Sequence, residues 1–149
     1  APRTKGPLSV LGLYPPRQMP REYSQVTLYK EIGLWVAAVQ EVAANLPAPD
    51  DSAANKYLYE YHREGLTELA LLLIDYTRQQ RHPYYSIFQR SQGTLKAADD
   101  TIARARQCAK VFDAYSRSPK KYSRVDATIE LRYLLAQLTN LLAWFQSST

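Results

Sequence analysis

Proline is unevenly spaced along this chain, and its positions limit the fold more than any other feature. Five of the nine prolines fall within the first 20 residues, and the remaining four are Pro47, Pro49, Pro83 and Pro119. Because proline lacks a backbone N–H and fixes φ, it rarely occupies the interior of a helix or of a central strand. The prolines therefore leave four blocks in which long regular elements can form: 21–46, 50–82, 84–118 and 120–149.

Each block carries the apolar periodicity of an amphipathic helix. Apolar side chains recur at spacings of three and four residues, which places them along one helix face. No block alternates apolar and polar residues with a period of two, so strands are not predicted. Block by block, the predicted core positions are Tyr29, Ile32, Val36, Val39, Ala43 and Leu46; Leu58, Tyr61, Leu66, Leu69, Leu73 and Tyr76; Leu95, Ala98, Ile102, Ala105, Ala109 and Phe112; and Leu131, Leu134, Leu138, Leu141 and Phe145.

Residues that favour helix ends lie at the block boundaries. Asp51 and Ser52 are predicted to cap the second helix, and Ser123 or Asp126 the fourth. Gly93 is expected to mark a break near the start of the third helix.

Short connections complete the predicted architecture. Linkers of roughly 4–7 residues favour antiparallel neighbours. We therefore predict an all-α fold, an up-down-up-down four-helix bundle with an irregular proline-rich N-terminal arm. The arm covers residues 1–22 and the bundle covers residues 23–149.

Composition limits the class of partner. The chain of 149 residues is long enough to bury one core, and its net charge of +5 is compatible with an acidic protein surface, lipid headgroups or nucleic acid. Twelve tyrosines suit bundle edges and interfaces. The single cysteine excludes an intramolecular disulfide, and no apolar run approaches the ~18 residues of a membrane span.

The sequence contains no pattern typical of an enzyme or of a bound cofactor. His62 and His82 lack the Glu-x-x-His spacing of metal-binding bundles, and no histidine is placed to activate Cys108. Cys108 is therefore predicted to be a small buried apolar residue. We expect no catalytic, cofactor or metal site, and we expect a solvated acidic face at Glu60, Glu64 and Glu68.

Two basic segments are the candidate docking sites. A basic cluster interleaved with tyrosine can contact phosphates and stack on bases, and it can equally form a salt-sensitive protein surface. The scatter of basic groups between acidic stripes argues against nucleic acid, which remains the alternative of a different class. The candidate residues are Leu8, Val10, Leu11, Leu13, Tyr14, Arg17 and Arg21 in the arm, and Arg117, Lys120, Lys121 and Arg124 in the loop from Tyr115 to Arg124.

Three stretches of the chain carry a family resemblance: "PLSVLGLYPPRQMP", "NKYLYEYHREGLTELALLLIDYTRQQ" and "KKYSRVDATIELRYLLAQL". They resemble the PsbQ family, the extrinsic oxygen-evolving enhancer proteins of photosystem II, and particularly its algal branch. The resemblance implies a precursor trimmed to begin near Ala1, a chloroplast thylakoid lumen location, and docking onto lumenal photosystem II subunits without spanning the membrane. It also implies a supporting role in photosynthesis, in which the extrinsic shell retains calcium and chloride at the oxygen-evolving complex.

The same parts would suit an accessory subunit of another organellar membrane complex, such as a chloroplast NADH-dehydrogenase-like complex. Under either assignment the arm is expected to be ordered by its partner, because prolines reduce the entropy lost on docking. Deletion of residues 1–20 is then expected to leave the bundle folded and to weaken assembly.

Overall fold

The computed structural model describes residues 12–146, and the regular structure within that range is entirely helical. The all-α prediction is confirmed. The helices are α1 (Gln25–Asn45), α2 (Ala53–Arg78), the short α3 (Tyr85–Phe88), α4 (Gln92–Arg117) and α5 (Arg124–Phe145), with a 3-10 turn at Pro119–Lys121 between the last two.

Each of the four long helices begins at a serine. The side-chain oxygens of Ser24, Ser52, Ser91 and Ser123 each accept a hydrogen bond from the backbone N–H three residues later, which satisfies an otherwise unpaired donor. The predicted caps at Ser52 and Ser123 are confirmed. At α5 the cap is reciprocal, because the Ser123 N–H donates to Asp126 Oδ2 at 2.9 Å.

Two helix boundaries differ from the proline-free blocks. The second helix ends at Arg78, before Pro83, and the following turn is held by the Tyr84 N–H donating to His82 Nδ1 at 3.0 Å. The third block is divided into α3 and α4, since the Ser91 cap starts a new helix two residues before Gly93. At both places the helix boundary is therefore set by local capping and not by a proline.

The long helices run up-down-up-down. Gln25 at the start of α1 donates to the carbonyl of Phe145 at the end of α5, and Thr101 in α4 donates to the carbonyl of Gln137 in α5. Ion pairs near both ends join α2 to α4 in the same antiparallel sense. No helix within residues 12–146 combines the length and the apolarity needed to cross a bilayer.

The core is built from most of the predicted positions, although Leu58 in α2 and Leu95 in α4 are only partly buried. Every predicted core position of α5 is buried, but in α1 the residues Tyr29, Val36 and Ala43 are only partly buried. Their neighbours in the next helical row, Leu28, Trp35 and Val42, fill the centre instead. Two adjacent apolar rows satisfy the same periodicity, so spacing alone does not identify which row faces inward.

Close backbone packing joins α1 to α5, α5 to α4, and α4 to α2, whereas α1 and α2 make little direct backbone contact. The arm supplies side chains to the space between α1 and α2. Tyr14 and Leu13 are partly buried there against the core. Leu13 and Tyr14 of the arm are therefore part of the packed structure.

Candidate functional site

Tyr14 anchors the arm between the first two long helices. Its ring centroid lies 5.6 Å from that of Trp35 in α1, and 5.5 and 5.7 Å from those of Tyr61 and His62 in α2. Its hydroxyl is 2.8 Å from His62 Nδ1. The backbone N–H groups of Leu13 and Tyr14 both donate to the Tyr61 hydroxyl, at 2.8 and 3.2 Å. These bonds and ring contacts hold the arm to its own bundle.

A glycine in α2 makes room for this ring. A Cβ atom built on Gly65 would overlap Cδ2 and Cε2 of Tyr14, whereas one built on Gly33 in α1 has nothing within 4 Å. Glycine in a helix interior costs about 1 kcal/mol relative to alanine. The close approach of Tyr14 provides the physical reason for accepting that cost at Gly65.

The two glycines provide a matched pair of variants. We expect Gly33→Ala to raise the free energy of unfolding by about 1 kcal/mol, because it improves helix propensity without a clash. Gly65→Ala is expected to lower it by about 1–3 kcal/mol, because the added methyl displaces the Tyr14 ring. Urea unfolding followed by circular dichroism measures both, and a stabilising Gly65→Ala would contradict the packing of Tyr14 in this position.

Arg17 continues the attachment along α2. Its guanidinium donates to Glu68 at 2.7 Å and to Asp75 at 3.2 Å, and all three side chains are about half exposed. Glu68 is therefore not simply part of a solvated acidic face. Exposed ion pairs contribute little to stability, so these two ion pairs add little to the attachment that Tyr14 provides.

The structure places the arm residues that were predicted to dock onto a partner in different environments. Leu8, Val10 and Leu11 lie outside the described residues. Arg21 is exposed. The other three, Leu13, Tyr14 and Arg17, contact this chain's own bundle. The expectation that deletion of residues 1–20 leaves the bundle intact does not agree with these contacts, since the deletion would uncover Trp35, Tyr61 and His62.

His62 is the residue of this cluster that sequence reasoning missed. It is 1% exposed, and burial lowers its pKa to about 3. Burial also raises the pKa of Tyr14 well above its usual value. The phenol is therefore the donor and the neutral imidazole the acceptor in their hydrogen bond. The feature of the sequence that could have indicated this cluster is Gly65, one helical turn from Tyr61 and His62 on α2.

A second buried polar pair joins the same helices. Glu31 in α1 is 2% exposed, and its Oε2 accepts a 2.5 Å hydrogen bond from the hydroxyl of Tyr76 in α2. Its Oε1 has no hydrogen-bond partner, and burial raises the pKa of this carboxyl. Within residues 12–146, no group of three or more His, Cys, Asp or Glu side chains is arranged to hold a metal ion.

Cys108 is buried in α4, as predicted. Its Sγ donates to the carbonyl of Glu130 at 3.0 Å, and burial raises the pKa of the thiol to about 12. A thiol with a raised pKa is not ionised near neutral pH and is a poor nucleophile. Cys108 therefore joins α4 to α5 as a packing residue.

The four basic residues predicted in the loop lie together at one end of the bundle. Two are in exposed ion pairs, Arg117 with Asp113 at 3.2 Å and Lys120 with Asp51 at 3.4 Å. A third contact is the Arg124 guanidinium donating to a carbonyl at the end of α1 at 3.2 Å. We call this exposed group the basic end; its members are Arg117, Lys120, Lys121 and Arg124.

The tyrosines of this loop do not face solvent as a stacking platform. Tyr115 is 4% exposed and stacks on Phe112, with ring centroids 5.8 Å apart. Tyr122 packs on Tyr115 at 4.1 Å. Both rings therefore contribute to the core and its margin, and the predicted interleaving of basic and aromatic side chains is not presented to a ligand as a set.

A groove that was not predicted from the sequence lies on the outer surface between α1 and α5. Its volume is about 420 Å³, and the sequence feature that marks it is the apolar pair Val125 and Ile129, outside the buried α5 stripe. Val125 is 65% exposed and Ile129 is 40% exposed. We call this surface the α1/α5 groove; it is lined by Ala43, Ala44, Arg124, Val125, Thr128, Ile129 and Arg132.

Within the described residues, the fold is an all-helical bundle in which Leu13 and Tyr14 pack between the first two long helices, with the basic end and the α1/α5 groove exposed. Comparison with known proteins adds no closer assignment: no protein family, no curated protein and no solved structure matches this chain.

Proposed function

We propose that this protein is a non-catalytic extrinsic subunit of photosystem II, similar to PsbQ, that docks on the lumenal face of the complex. In this role it stabilises the oxygen-evolving centre by helping to retain calcium and chloride. The observation that carries the proposal is the basic end, where four exposed cations project from one end of an all-helical bundle. The resemblance of the arm, α2 and α5 to the PsbQ family supplies the partner.

The basic end has the physical properties of a docking surface. The ion pairs of Arg117 and Lys120 are solvent-exposed, so they contribute little to folding and their partners can be exchanged for those of another protein. A net charge of +5 favours encounter with an acidic surface. Such docking is weakened by salt, because screening acts on exposed charges.

The proposed location is the chloroplast thylakoid lumen, peripheral to the membrane. A NADH-dehydrogenase-like complex is the alternative partner, since the same bundle and charges would serve it. Nucleic acid is disfavoured by the burial of Tyr115 and by the packing of Tyr122 against it, which leaves the cationic side chains without exposed stacking partners.

A rebinding experiment tests this function. Purified protein is added to salt-stripped algal photosystem II that carries its other extrinsic subunits, and oxygen evolution is followed at limiting calcium and chloride. We expect stoichiometric, salt-sensitive rebinding with recovered activity. The double variant Lys120→Glu and Lys121→Glu is expected to weaken rebinding by about tenfold or more, because repulsion replaces attraction at the contact.

The control reverses the same number of charges at the opposite end of the bundle, with Arg78→Glu and Arg81→Glu. It should rebind within about threefold of the unmodified protein, since exposed charges further than a Debye length from the contact are screened. Equal weakening by both double variants would indicate a general charge effect and remove the role of the basic end. Failure of the unmodified protein to rebind would refute the photosystem II assignment.

A further inference from the structure

We propose that the α1/α5 groove is the apolar part of the docking surface and that it seats an amphipathic helix of the partner bearing acidic side chains. This inference rests on the proposed function. It assigns to the groove the apolar contacts that the basic end does not provide. Cations alone provide steering and salt sensitivity, whereas stable docking generally requires buried apolar contacts at the centre of the interface.

The apolar contacts are available in the groove. Val125 and Ile129 lie one helical turn apart on α5, and they are 65% and 40% exposed. On the α1 side the groove is lined by Ala43 and Ala44, whose small side chains allow a second backbone to approach closely. A groove between two antiparallel helices is the kind of surface into which a third helix packs.

The charge of the groove indicates the chemistry of its occupant. Among the described residues, the charged side chains that line it are Arg124 and Arg132, eight residues apart on α5, which corresponds to about 12 Å along the helix. Neither Asp126 nor Glu130 of α5 lines the groove, and the Asp126 carboxylate accepts a hydrogen bond from the Ser123 N–H at the helix cap. A helix with carboxylates two turns apart would meet both arginines while its apolar face covered Val125 and Ile129.

Within the described part of the chain, no ion pair engages either arginine. Arg124 donates one hydrogen bond, to the Ala44 carbonyl, and a guanidinium has five N–H donors. A carboxylate could therefore bind without displacing an existing partner. Arg124 also belongs to the basic end, so the two surfaces are continuous.

The same charges disfavour a second copy of this chain as the occupant. A symmetric dimer through the α1/α5 groove would bring its arginines towards those of the other protomer, and like charges at an interface oppose association. The groove is also concave, which suits an inserted side-chain row better than a flat lipid surface. We therefore commit to an acidic helix of the partner complex.

The test uses the rebinding experiment with two groove variants and two controls. Ile129→Asp and Arg132→Glu alter the apolar and the cationic part of the groove. Leu71→Asp on α2 and Arg106→Glu on α4 make the same chemical changes at exposed positions on the opposite helices. Thermal unfolding first establishes that each variant retains the fold. We expect each groove variant to weaken rebinding by about tenfold or more, and each control by less than about threefold.

A photo-crosslinking residue at position 129 then identifies the occupant. We expect an adduct with a helical segment of a photosystem II subunit that carries carboxylates about seven or eight residues apart. An adduct with a segment lacking carboxylates overturns the inference. It is also overturned if the unmodified protein forms a dimer, or binds phosphatidylglycerol vesicles, in a manner that Ile129→Asp or Arg132→Glu abolishes.

The failures of the two proposals are distinguishable. If the unmodified protein rebinds and both groove variants rebind equally well, docking on photosystem II stands and the groove assignment is overturned. If the unmodified protein does not rebind at all, the proposed function is refuted, and the inference about its partner helix falls with it.

Discussion

Replacement of Tyr14 by alanine is expected to lower the free energy of unfolding by about 3 kcal/mol, the largest effect we predict for any arm residue. The ring contacts Trp35, Tyr61 and His62, and its loss would leave a gap between α1 and α2. The hydroxyl is also the hydrogen-bond partner of buried His62 Nδ1, so its removal leaves that nitrogen unsatisfied. Urea unfolding monitored by circular dichroism measures the change.

Tyr14→Phe separates the ring from the hydroxyl. This variant keeps the aromatic packing and removes only the hydrogen bond to His62, so we expect a loss of about 1–2 kcal/mol. If Tyr14→Ala unfolds at the same urea concentration as the unmodified protein, the arm does not stabilise the bundle. In that case these residues would again be available as anchors for a partner.

Stability is expected to fall in mild acid because His62 is buried in its neutral form. The pKa of His62 is lowered from 6.5 to about 3, so below pH 6.5 the unfolded chain binds a proton that the folded chain does not. The unfolded state is therefore favoured increasingly as pH falls from 6.5 towards 3. From this residue alone, the free energy of unfolding should be about 2 kcal/mol lower at pH 5 than at pH 7.

His62→Asn is the matched variant for the acid effect. Asparagine offers an acceptor oxygen near the position of Nδ1 but does not titrate in this range. Glu31, whose pKa is raised by burial, opposes the trend, since its protonation favours the folded state as pH falls. This contribution is common to both proteins. The difference between the unfolding free energies of the unmodified protein and His62→Asn, followed against pH, therefore isolates the contribution of His62. Parallel pH profiles would show that the pKa of His62 does not change on unfolding.

The internal use of Tyr14 and Arg17 changes how docking is understood. The arm was expected to supply the apolar anchors for a partner, yet Leu13 and Tyr14 pack against α1 and α2 of this chain. Exposed apolar side chains suitable for docking occur instead on α5, at Val125 and Ile129. A docking surface formed by the bundle would be present before the partner arrives, so less entropy would be lost on binding.

The positions of the prolines and the apolar periodicity were sufficient to predict the architecture. The four long helices, their antiparallel order and the whole α5 core stripe follow from local rules, because helix propensity, capping and spacing depend on residues close together in the chain. The division of the third block at Ser91 is also local. It was predicted near Gly93 from a glycine, and the serine cap decided its position.

The place of the arm was not determined locally. Leu13 bonds to Tyr61 and Tyr14 bonds to His62 across 48 residues of sequence, and periodicity carries no information about contacts of that range. Gly65 was visible as a helix glycine, but nothing nearby in the chain indicated which ring would occupy its missing side-chain volume. The burial of Trp35 rather than Val36 likewise depended on how α1 rotates against its neighbours.

The two candidate surfaces show the same division between what the sequence determines and what the tertiary structure decides. The clustering of the basic end was predictable, because Arg117, Lys120, Lys121 and Arg124 lie close together in sequence, from the last residue of α4 to the first of α5. The α1/α5 groove required tertiary structure, since Ala43 and Ile129 belong to helices far apart in sequence. Local order decides which side chains a helix or loop carries. Only packing decides which of them remain exposed together, because burial depends on the neighbour that each face meets.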